Sequence, residues 1–304
     1  MKYVLETEGL CMQYKDFQAL SDFNMHVPEG AIYGFVGKNG AGKTTLIRVI
    51  TGLQFPTAGK YCLYGIPGTD RSIRKERRRM GAVVETPSIY MDMTAEENLK
   101  QQYVILGQPD FEGIRELLEL VGLNHTGKKK VRDFSLGMRQ RLGIAIALAG
   151  NPDFLVLDEP INGLDPQGII EIRELILKLN HEQGITVLIS SHILDELSKL
   201  ATHYGFIDHG HMVKEISAAE LEAACAKKIR VQVSDITAFS KALEKQKIDY
   251  KIISDSEADI YSEITVSELA AAADSYGCQL LTMKEQDESL ESFYLNLIGG
   301  AAHV

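Results

Sequence analysis

The sequence predicts an α/β core followed by a small α+β domain. Short apolar runs without alternation indicate buried parallel strands at residues 32–36, 81–84, 154–157 and 186–190. A stretch with helical character lies between residues 94 and 150. After about residue 223 the composition changes, and strand and helix patterns follow in the order β-α-β-β-α-β.

These patterns divide the chain into two predicted domains. The first, residues 1–224, carries the α/β core and a helical subdomain at about 86–150. The second, residues 225–304, is predicted to be an accessory α+β domain of the split-βαβ, ferredoxin-like type. A chain of 304 residues is long enough to bury a sizeable core in one or two domains.

The first buried strand leads into the most informative motif. Residues 37–45 read Gly-Lys-Asn-Gly-Ala-Gly-Lys-Thr-Thr, which fits the phosphate-binding pattern G-x-x-x-x-G-K-[ST] between a strand and a helix. Its glycines let N–H groups turn toward phosphate oxygens, and the helix N-terminus favours the same anion. We expect Lys43 to reach the β- and γ-phosphates of a bound nucleotide and Thr44 to hold Mg²⁺. The other predicted phosphate-loop residues of the nucleotide site are Gly37, Asn39, Gly40, Ala41, Gly42 and Thr45.

The helical segment begins with two recognisable helices. Thr94 and Glu97 fit a capping box that opens the first. Apolar residues at helical spacing over 114–121 predict the second, which stops at Gly122.

A second anion-binding surface is predicted later in this segment. Ser135 and Gly137 precede a helix of small residues at 143–149, and the open backbone at such a helix start can bind an anion. Taken alone, the pattern favours a serine that caps its helix without any ligand.

One later strand ends in two carboxylates. The apolar run 154–157 is followed by Asp158 and Glu159. An acid at the end of a strand beside a phosphate loop can hold Mg²⁺, and we assign that role to Asp158. Glu159 is placed to activate the water that attacks the γ-phosphate. The alternative is a solvated turn before Pro160, which the nearby phosphate loop disfavours.

The strand at 186–190 is followed by a polar cluster that contains His192. This imidazole can hydrogen-bond the γ-phosphate and so sense its presence. A lone histidine after a strand is more often an ordinary loop residue. Its position after the last core strand favours the functional interpretation here.

Composition excludes several other classes of protein. The formal net charge of −10 argues against a general nucleic-acid binder, which favours a basic surface. No apolar run approaches the roughly 20 residues of a membrane span, and the N-terminus lacks the apolar segment of a signal peptide. The four cysteines lie far apart and are interpreted as free thiols in a reducing cytosol: Cys11, Cys62, Cys225 and Cys278.

The order of these motifs resembles that of the nucleotide-binding subunits of ABC transporters, over roughly residues 4–216. The resemblance rests on Tyr14 as the aromatic that stacks on adenine, 37–45 as Walker A, 135–140 as the signature, 154–159 as Walker B, 162–165 as the D-loop and His192 as the switch histidine. Residues 85–90, the signature and residues 289–294 look most like the bacitracin- and lantibiotic-resistance branch, whose members power export or self-immunity with a separate permease.

The chain departs from the family pattern at two places. The signature usually reads Ser-Gly-Gly-Gln, whereas Leu136 and Met138 replace a glycine and the glutamine. The phosphate-facing pair of the signature, Ser135 and Gly137, is kept. Glu85 stands where the family usually has a glutamine that acts as a neutral ligand, so its predicted role here is that of a charged ligand near Mg²⁺.

The resemblance implies an ATPase without its own membrane spans, using ATP and Mg²⁺. Two copies are expected to form a homodimer around two ATP molecules, each site combining Walker A of one copy with Ser135 and Gly137 of the other. Partners are then a separately encoded polytopic permease and no nucleic acid. The protein is expected in the cytoplasm, held at the inner face of the cell membrane by the permease.

Other functions stay open at this point. The alternative is a non-transport ABC ATPase in DNA repair, on ribosomes or in signalling. The repair type carries a long coiled coil between Walker A and the signature, but no sustained heptads lie between Thr45 and Ser135. The translation type has two phosphate loops, whereas this chain has one.

A basic run stands out in this acidic chain: Arg71, Arg74, Lys75, Arg77, Arg78 and Arg79. One interpretation is that this run contacts a permease or an anionic membrane surface. The other is a solvated helix face, and this interpretation is favoured.

Overall fold

The structure is a computed structural model that describes residues 2–108, 110–224, 228–262, 264–286 and 290–301. Cys225, one of the predicted free thiols, lies outside the described residues. By compactness the chain divides into two units, 1–218 and 219–304. The domain limits expected from the sequence stand at 224 and 225, and they stay a prediction.

The first unit is built from ten strands and seven helices in its described part. In chain order they are β1 (Tyr3–Tyr14), β2 (Phe17–Pro28), β3 (Ile32–Val36), α1 (Lys43–Ile50), β4 (Ala58–Leu63), β5 (Ile66–Pro67), α2 (Ile73–Arg77), β6 (Met80–Val83), α3 (Ala95–Leu106), α4 (Ile114–Leu120), α5 (Leu136–Leu148), β7 (Phe154–Asp158), α6 (Pro166–Gln183), β8 (Thr186–Ser191), α7 (Leu194–Leu197), β9 (His203–Asp208) and β10 (His211–Ser217), with a 3-10 turn at Val131–Asp133.

A six-stranded sheet forms the core of this unit, in the order β10-β9-β3-β8-β7-β6. All neighbours pair in parallel except β9 and β10. Every residue of β3, β7 and β8 is buried, which explains why these strands appear as continuous apolar runs. Because parallel strands end at one edge, the residues that follow β3, β7 and β8 meet there.

A second sheet of the same unit is antiparallel, in the order β2-β1-β4-β5. The sequence analysis did not predict it. Irregularities in the pairing of β1 with β2 and β4 interrupt the regular alternation on which strand prediction depends. Buried side chains of both sheets and of α1 belong to one hydrophobic cluster, which includes Leu10, Phe23, Phe35 and Leu46.

The predicted helix signals are confirmed, with one change of boundary. Thr94 and Glu97 form the capping box at the start of α3. Helix α4 ends at Leu120, and Gly122 follows with a φ of +66°. Helix α5 begins at Leu136, seven residues before the predicted start, because Ser135 caps it directly. No described helix combines the length and apolarity needed to cross a membrane.

The second unit has the predicted β-α-β-β-α-β order. Its elements are α8 (Ala218–Ala224), β11 (Lys228–Val233), α9 (Ile236–Gln246), β12 (Tyr250–Ile252), β13 (Glu257–Ile260), α10 (Val266–Asp274), β14 (Leu280–Gln286) and α11 (Leu290–Ala301). The sheet is antiparallel, in the order β12-β13-β11-β14, which is the arrangement of a ferredoxin-like domain. It has its own hydrophobic cluster, including Val231, Phe239 and Leu269.

Candidate nucleotide-binding site

At two positions of the loop between β3 and α1, there is no room for any residue larger than glycine. A Cβ atom on Gly37 would lie 2.6 Å from Cγ2 of Ile207. Gly42 has a φ of +114°, and a Cβ there would lie 2.6 Å from the carbonyl oxygen of Ala19. The loop is therefore held close to neighbouring strands in a conformation that other residues resist. The first N–H groups of α1, which begins at Lys43, open into this loop.

Lys43 is a buried cation at the mouth of the loop. Its side chain is 5% exposed, and its Nζ donates to the carbonyl oxygens of Gly37 at 2.6 Å and of Lys38 at 3.2 Å. The same nitrogen lies 3.1 Å from Oε1 of Glu159. The ammonium group is thus compensated inside the protein and aimed at the loop where the phosphates are expected.

The two acids after β7 have different environments. Asp158 is 1% exposed, and its Oδ1 accepts a hydrogen bond from Oγ of Ser190 at 2.6 Å. Its Oδ2 is buried and has no hydrogen-bond partner among the described residues. A buried carboxylate oxygen without a partner is costly unless another group satisfies it. This atom is the strongest candidate ligand for a cation in the site.

Glu159 connects three parts of the site. It has a φ of +49°, a backbone conformation that costs energy for a side chain of its size. Its N–H donates to Oγ of Ser190 at 2.9 Å. Its carboxylate bridges Lys43 and His192, whose Nδ1 lies 2.8 Å from Oε2. The structure therefore brings together the lysine, the acid and the histidine that the sequence placed after three separate strands.

Ser190 is a residue of this site that the sequence analysis missed. It is fully buried one residue before the end of β8, and its hydroxyl group contacts the carboxylate of Asp158 and the backbone N–H of Glu159. A serine at the end of an apolar run carries a weak signal, because Ser191 is equally buried and instead accepts from the N–H of Ile193. Only the register of β7 against β8, with Asp158 opposite Ser190, distinguishes them.

The predicted second anion-binding surface lies at the start of α5. Oγ of Ser135 accepts from the N–H of Met138 at 3.3 Å, so the serine caps the helix. A Cβ on Gly137 would meet nothing closer than 3.8 Å. Among the described residues, no hydrogen bond joins Ser135 to the loop at 37–45. One chain therefore presents two separate candidate surfaces for phosphate.

Tyr14 and Glu85 have partners of their own. The hydroxyl group of Tyr14 donates to Oε1 of Gln54, and its half-buried ring packs against the core cluster. Oε1 of Glu85 accepts from Nη2 of Arg48 at 2.5 Å, and the carboxylate is 53% exposed. Arg48 thus neutralises part of the charge that was expected to face Mg²⁺.

The chain is similar to known proteins in family, in sequence and in structure. The family described as ABC transporter matches residues 20–162. The chain is 40% identical to the bacitracin transport ATP-binding protein BcrA of Enterococcus faecalis, over 99% of this chain and 98% of that protein. It is 42% identical to the lantibiotic transport ATP-binding protein SrtF of Streptococcus pyogenes, over 70% of this chain and 90% of that protein.

Two solved structures show the same fold. The cbiO1 protein of Clostridium perfringens, part of an ABC transporter complex, superposes with a TM-score of 0.66 at 26% identity, over 81% of this chain and 97% of that one. The ATP-binding cassette MJ0796, a dimer bound to ADP and Pi, superposes with a TM-score of 0.64 at 26% identity, over 70% of this chain and 98% of that one.

Proposed function

The chain belongs to the family of ATP-binding subunits of ABC transporters, which bind and hydrolyse ATP, and we propose that it powers a separate membrane permease that exports antimicrobial peptides or related compounds. The observation that carries ATP hydrolysis as the source of energy is the contact of Lys43 and His192 with the two carboxylate oxygens of Glu159. The names of the full-length and cassette relatives support the substrate class.

In the proposed reaction, the loop amides and Lys43 hold the phosphates of ATP, and Tyr14 stacks on the base. Phosphate oxygens then replace Oε1 of Glu159 as the partner of Nζ, which frees that carboxylate to accept a proton from the attacking water. His192 stays within reach of both the carboxylate and the γ-phosphate.

The residues present fit a magnesium ion. The hydroxyl group of Thr44 and the unsatisfied Oδ2 of Asp158 are oxygen donors of the kind that Mg²⁺ takes together with water and phosphate. When bound, the ion would neutralise charge on the phosphates.

Two copies are proposed to complete each site. The proposed phosphate-binding surface at Ser135 and Gly137 has no hydrogen bond to the loop at 37–45 of the same chain among the described residues. This surface is therefore expected to contact the phosphates of an ATP molecule that is held by the loop of a second chain. The dimeric cassette MJ0796 supports this arrangement. The permease would keep the protein at the inner face of the membrane. The second unit, without a phosphate loop, is proposed to serve regulation or partner contact.

Replacing Glu159 by Gln tests the mechanism. The amide keeps size and hydrogen bonding but is no base, so turnover should fall by about 100-fold or more while ATP still binds. An ATP-bound dimer should accumulate, which gel filtration detects. The matched control is Glu174→Gln, an exposed acid on α6 that should hydrolyse ATP normally. Near-normal hydrolysis by Glu159→Gln would remove this residue from the catalytic role.

The transport function has its own test. The chain and its permease, expressed together in a sensitive host, should raise the concentration of bacitracin or a lantibiotic needed to stop growth. Lys43→Ala in the same pair should abolish the effect because the phosphates lose their buried cation. Equal susceptibility with and without the pair would contradict peptide export and leave the ATPase assignment intact.

A further inference from the structure

A cleft lined by cations, here called the cationic cleft, opens between the loop before β4, strand β4 and the segment around α2. It has a volume of about 680 Å³. Its charged lining consists of Lys60, Arg71, Arg74, Arg77 and one acid, Asp70. Phe55 and Pro56 lie at the same cleft. None of these residues belongs to the nucleotide site described above.

The positive charge of the cleft is only partly used within the protein. Arg71 and Arg74 are exposed and form no hydrogen bond or ion pair with any described residue. The guanidinium group of Arg77 packs on Gly52 and donates through Nη2 to the hydroxyl group of Tyr61. Its Nε is buried and has no partner among the described residues, so this N–H is not available to a molecule bound in the cleft, whereas the charge of the guanidinium group still acts there.

Two carboxylates offset part of the positive charge of the cleft. The Asp70 carboxylate accepts from the N–H and hydroxyl groups of Ser72, at 2.7 and 2.8 Å, and these bonds lower the pKa of Asp70. Lys60 pairs with Glu8 at 2.7 Å on the exposed surface. With Lys60 paired and Asp70 ionised, the three arginines still leave an excess of positive charge at the cleft, in a protein whose net charge is −10.

The basic run of the sequence is divided by the structure into two groups. Arg79 turns away, stacks on the ring of Tyr64 and pairs with Glu76 and Asp153. Arg71, Arg74 and Arg77 recur every third position and converge on the cleft. Within α2, the like charges of Arg74 and Arg77 are three residues apart and repel one another. A solvated helix face explains the exposed side chains of Arg71 and Arg74 but not the convergence of three arginines on one cavity.

Exposed apolar side chains stand beside these cations. Phe55 is 82% exposed and Leu53 is 65% exposed, both in the loop between α1 and β4. An aromatic side chain next to cations suits the boundary of a lipid bilayer, where the ring enters the headgroup layer and the cations meet phosphate. A soluble anion would use the cations but would leave Phe55 in water.

We propose that the cationic cleft binds the phosphate headgroup of an anionic phospholipid at a bilayer surface, with Phe55 in the interface. Arg71 and Arg74 supply the donors, Arg77 adds positive charge at the cleft, and guanidinium groups match phosphate oxygens in geometry. The inference uses the proposed function only to bring the chain next to a membrane. It requires no contact with a permease.

Vesicle binding by the full chain tests the proposal without the permease. The probes are phosphatidylcholine vesicles with and without phosphatidylglycerol, in a sedimentation assay over a range of salt concentrations. The wild type should prefer the phosphatidylglycerol vesicles, and salt should weaken the binding. The double variant Arg71→Gln, Arg74→Gln should bind roughly 25-fold more weakly, about fivefold for each arginine. Phe55→Ala should weaken binding at every salt concentration, since apolar insertion is not screened.

The matched control is Arg115→Gln with Lys128→Gln, which removes two exposed cations outside the cleft. This variant should bind nearly as well as the wild type. An equal loss in both double variants would show a diffuse charge effect and overturn the proposal, as would absence of binding to phosphatidylglycerol vesicles. Inorganic phosphate that binds without vesicles and displaces them at millimolar concentration would overturn the lipid in favour of a soluble phosphate.

ATP hydrolysis without vesicles separates this proposal from the proposed function. The cleft variants should keep wild-type rates, because their residues contact neither Lys43 nor the acids after β7. That result also shows that they fold. Vesicle binding can thus fail while the ATPase mechanism stands. Conversely, Glu159→Gln should lose ATP hydrolysis but bind vesicles normally.

Discussion

Ser190→Ala is the sharpest test of how the site is held together. The hydroxyl group of Ser190 is fully buried, donates to Oδ1 of Asp158 at 2.6 Å and accepts from the N–H of Glu159 at 2.9 Å. Alanine removes both hydrogen bonds with little change in volume. The carboxylate of Asp158 then keeps no hydrogen bond to any described residue, and both of its oxygens are buried and unsatisfied.

The size of the effect follows from these contacts. A hydrogen bond to a charged group contributes about 1.5–3 kcal/mol, so the free energy of unfolding without nucleotide should fall by about that amount. The N–H of Glu159 keeps a weaker acceptor, the carbonyl oxygen of Ser190 at 3.2 Å, so its loss adds little. Released from Ser190, the two acids shift relative to ATP, and a displacement of about 1 Å lowers turnover by up to roughly 100-fold.

Urea unfolding and steady-state ATPase rates measure the two effects. The matched control is Ser191→Ala, which removes an equally buried hydroxyl group from the same strand but breaks only its bond from the N–H of Ile193. A double-mutant cycle with Asp158→Asn should give a coupling free energy above about 1 kcal/mol in unfolding. The reasoning is refuted if Ser190→Ala and Ser191→Ala unfold alike and Ser190→Ala hydrolyses ATP at the wild-type rate.

Three further predictions concern the rest of the chain. Glu85→Gln should raise the Mg²⁺ concentration for half-maximal hydrolysis and tighten ATP binding without Mg²⁺, and overlapping Mg²⁺ titrations would exclude a metal-ligand role. Verified mixed dimers of Lys43→Ala and Gly137→Asp subunits should regain part of the activity that each lacks alone, because one intact site remains; no recovery would indicate sites built within one chain. A chain that stops at residue 224 should still bind ATP, and a truncation that circular dichroism shows to be folded but that binds no ATP would contradict this.

Local sequence patterns predicted the structure correctly wherever it depends on residues that are neighbours in the chain. The phosphate loop, the capping box at Thr94 and the apolar strands β3, β7 and β8 depend on short-range geometry or on complete burial, and both leave a direct mark in the sequence. The order of elements in the second unit was predicted for the same reason. The antiparallel sheet escaped prediction because its strand β1 is irregular in register.

The candidate site was only half determined by the sequence. Lys43, Asp158, Glu159 and His192 were predicted because each follows a strand of one parallel sheet, and such strands end at a common edge. Their mutual contacts were not predicted. Three features depend on side-chain positions at the 3 Å scale: the pairing of Glu159 with Lys43, the pairing of Glu85 with Arg48, and the unsatisfied Oδ2 of Asp158.

By itself the sequence determined the fold class, the family resemblance and the residue types of the nucleotide site, because these follow from motifs within a few residues of one another. The tertiary structure alone decided that Ser190 holds the two acids and that three arginines converge on one cleft. Both depend on the pairing of segments far apart in the chain. Hydrogen bonding and charge act over a few ångströms in space, whatever the separation in sequence.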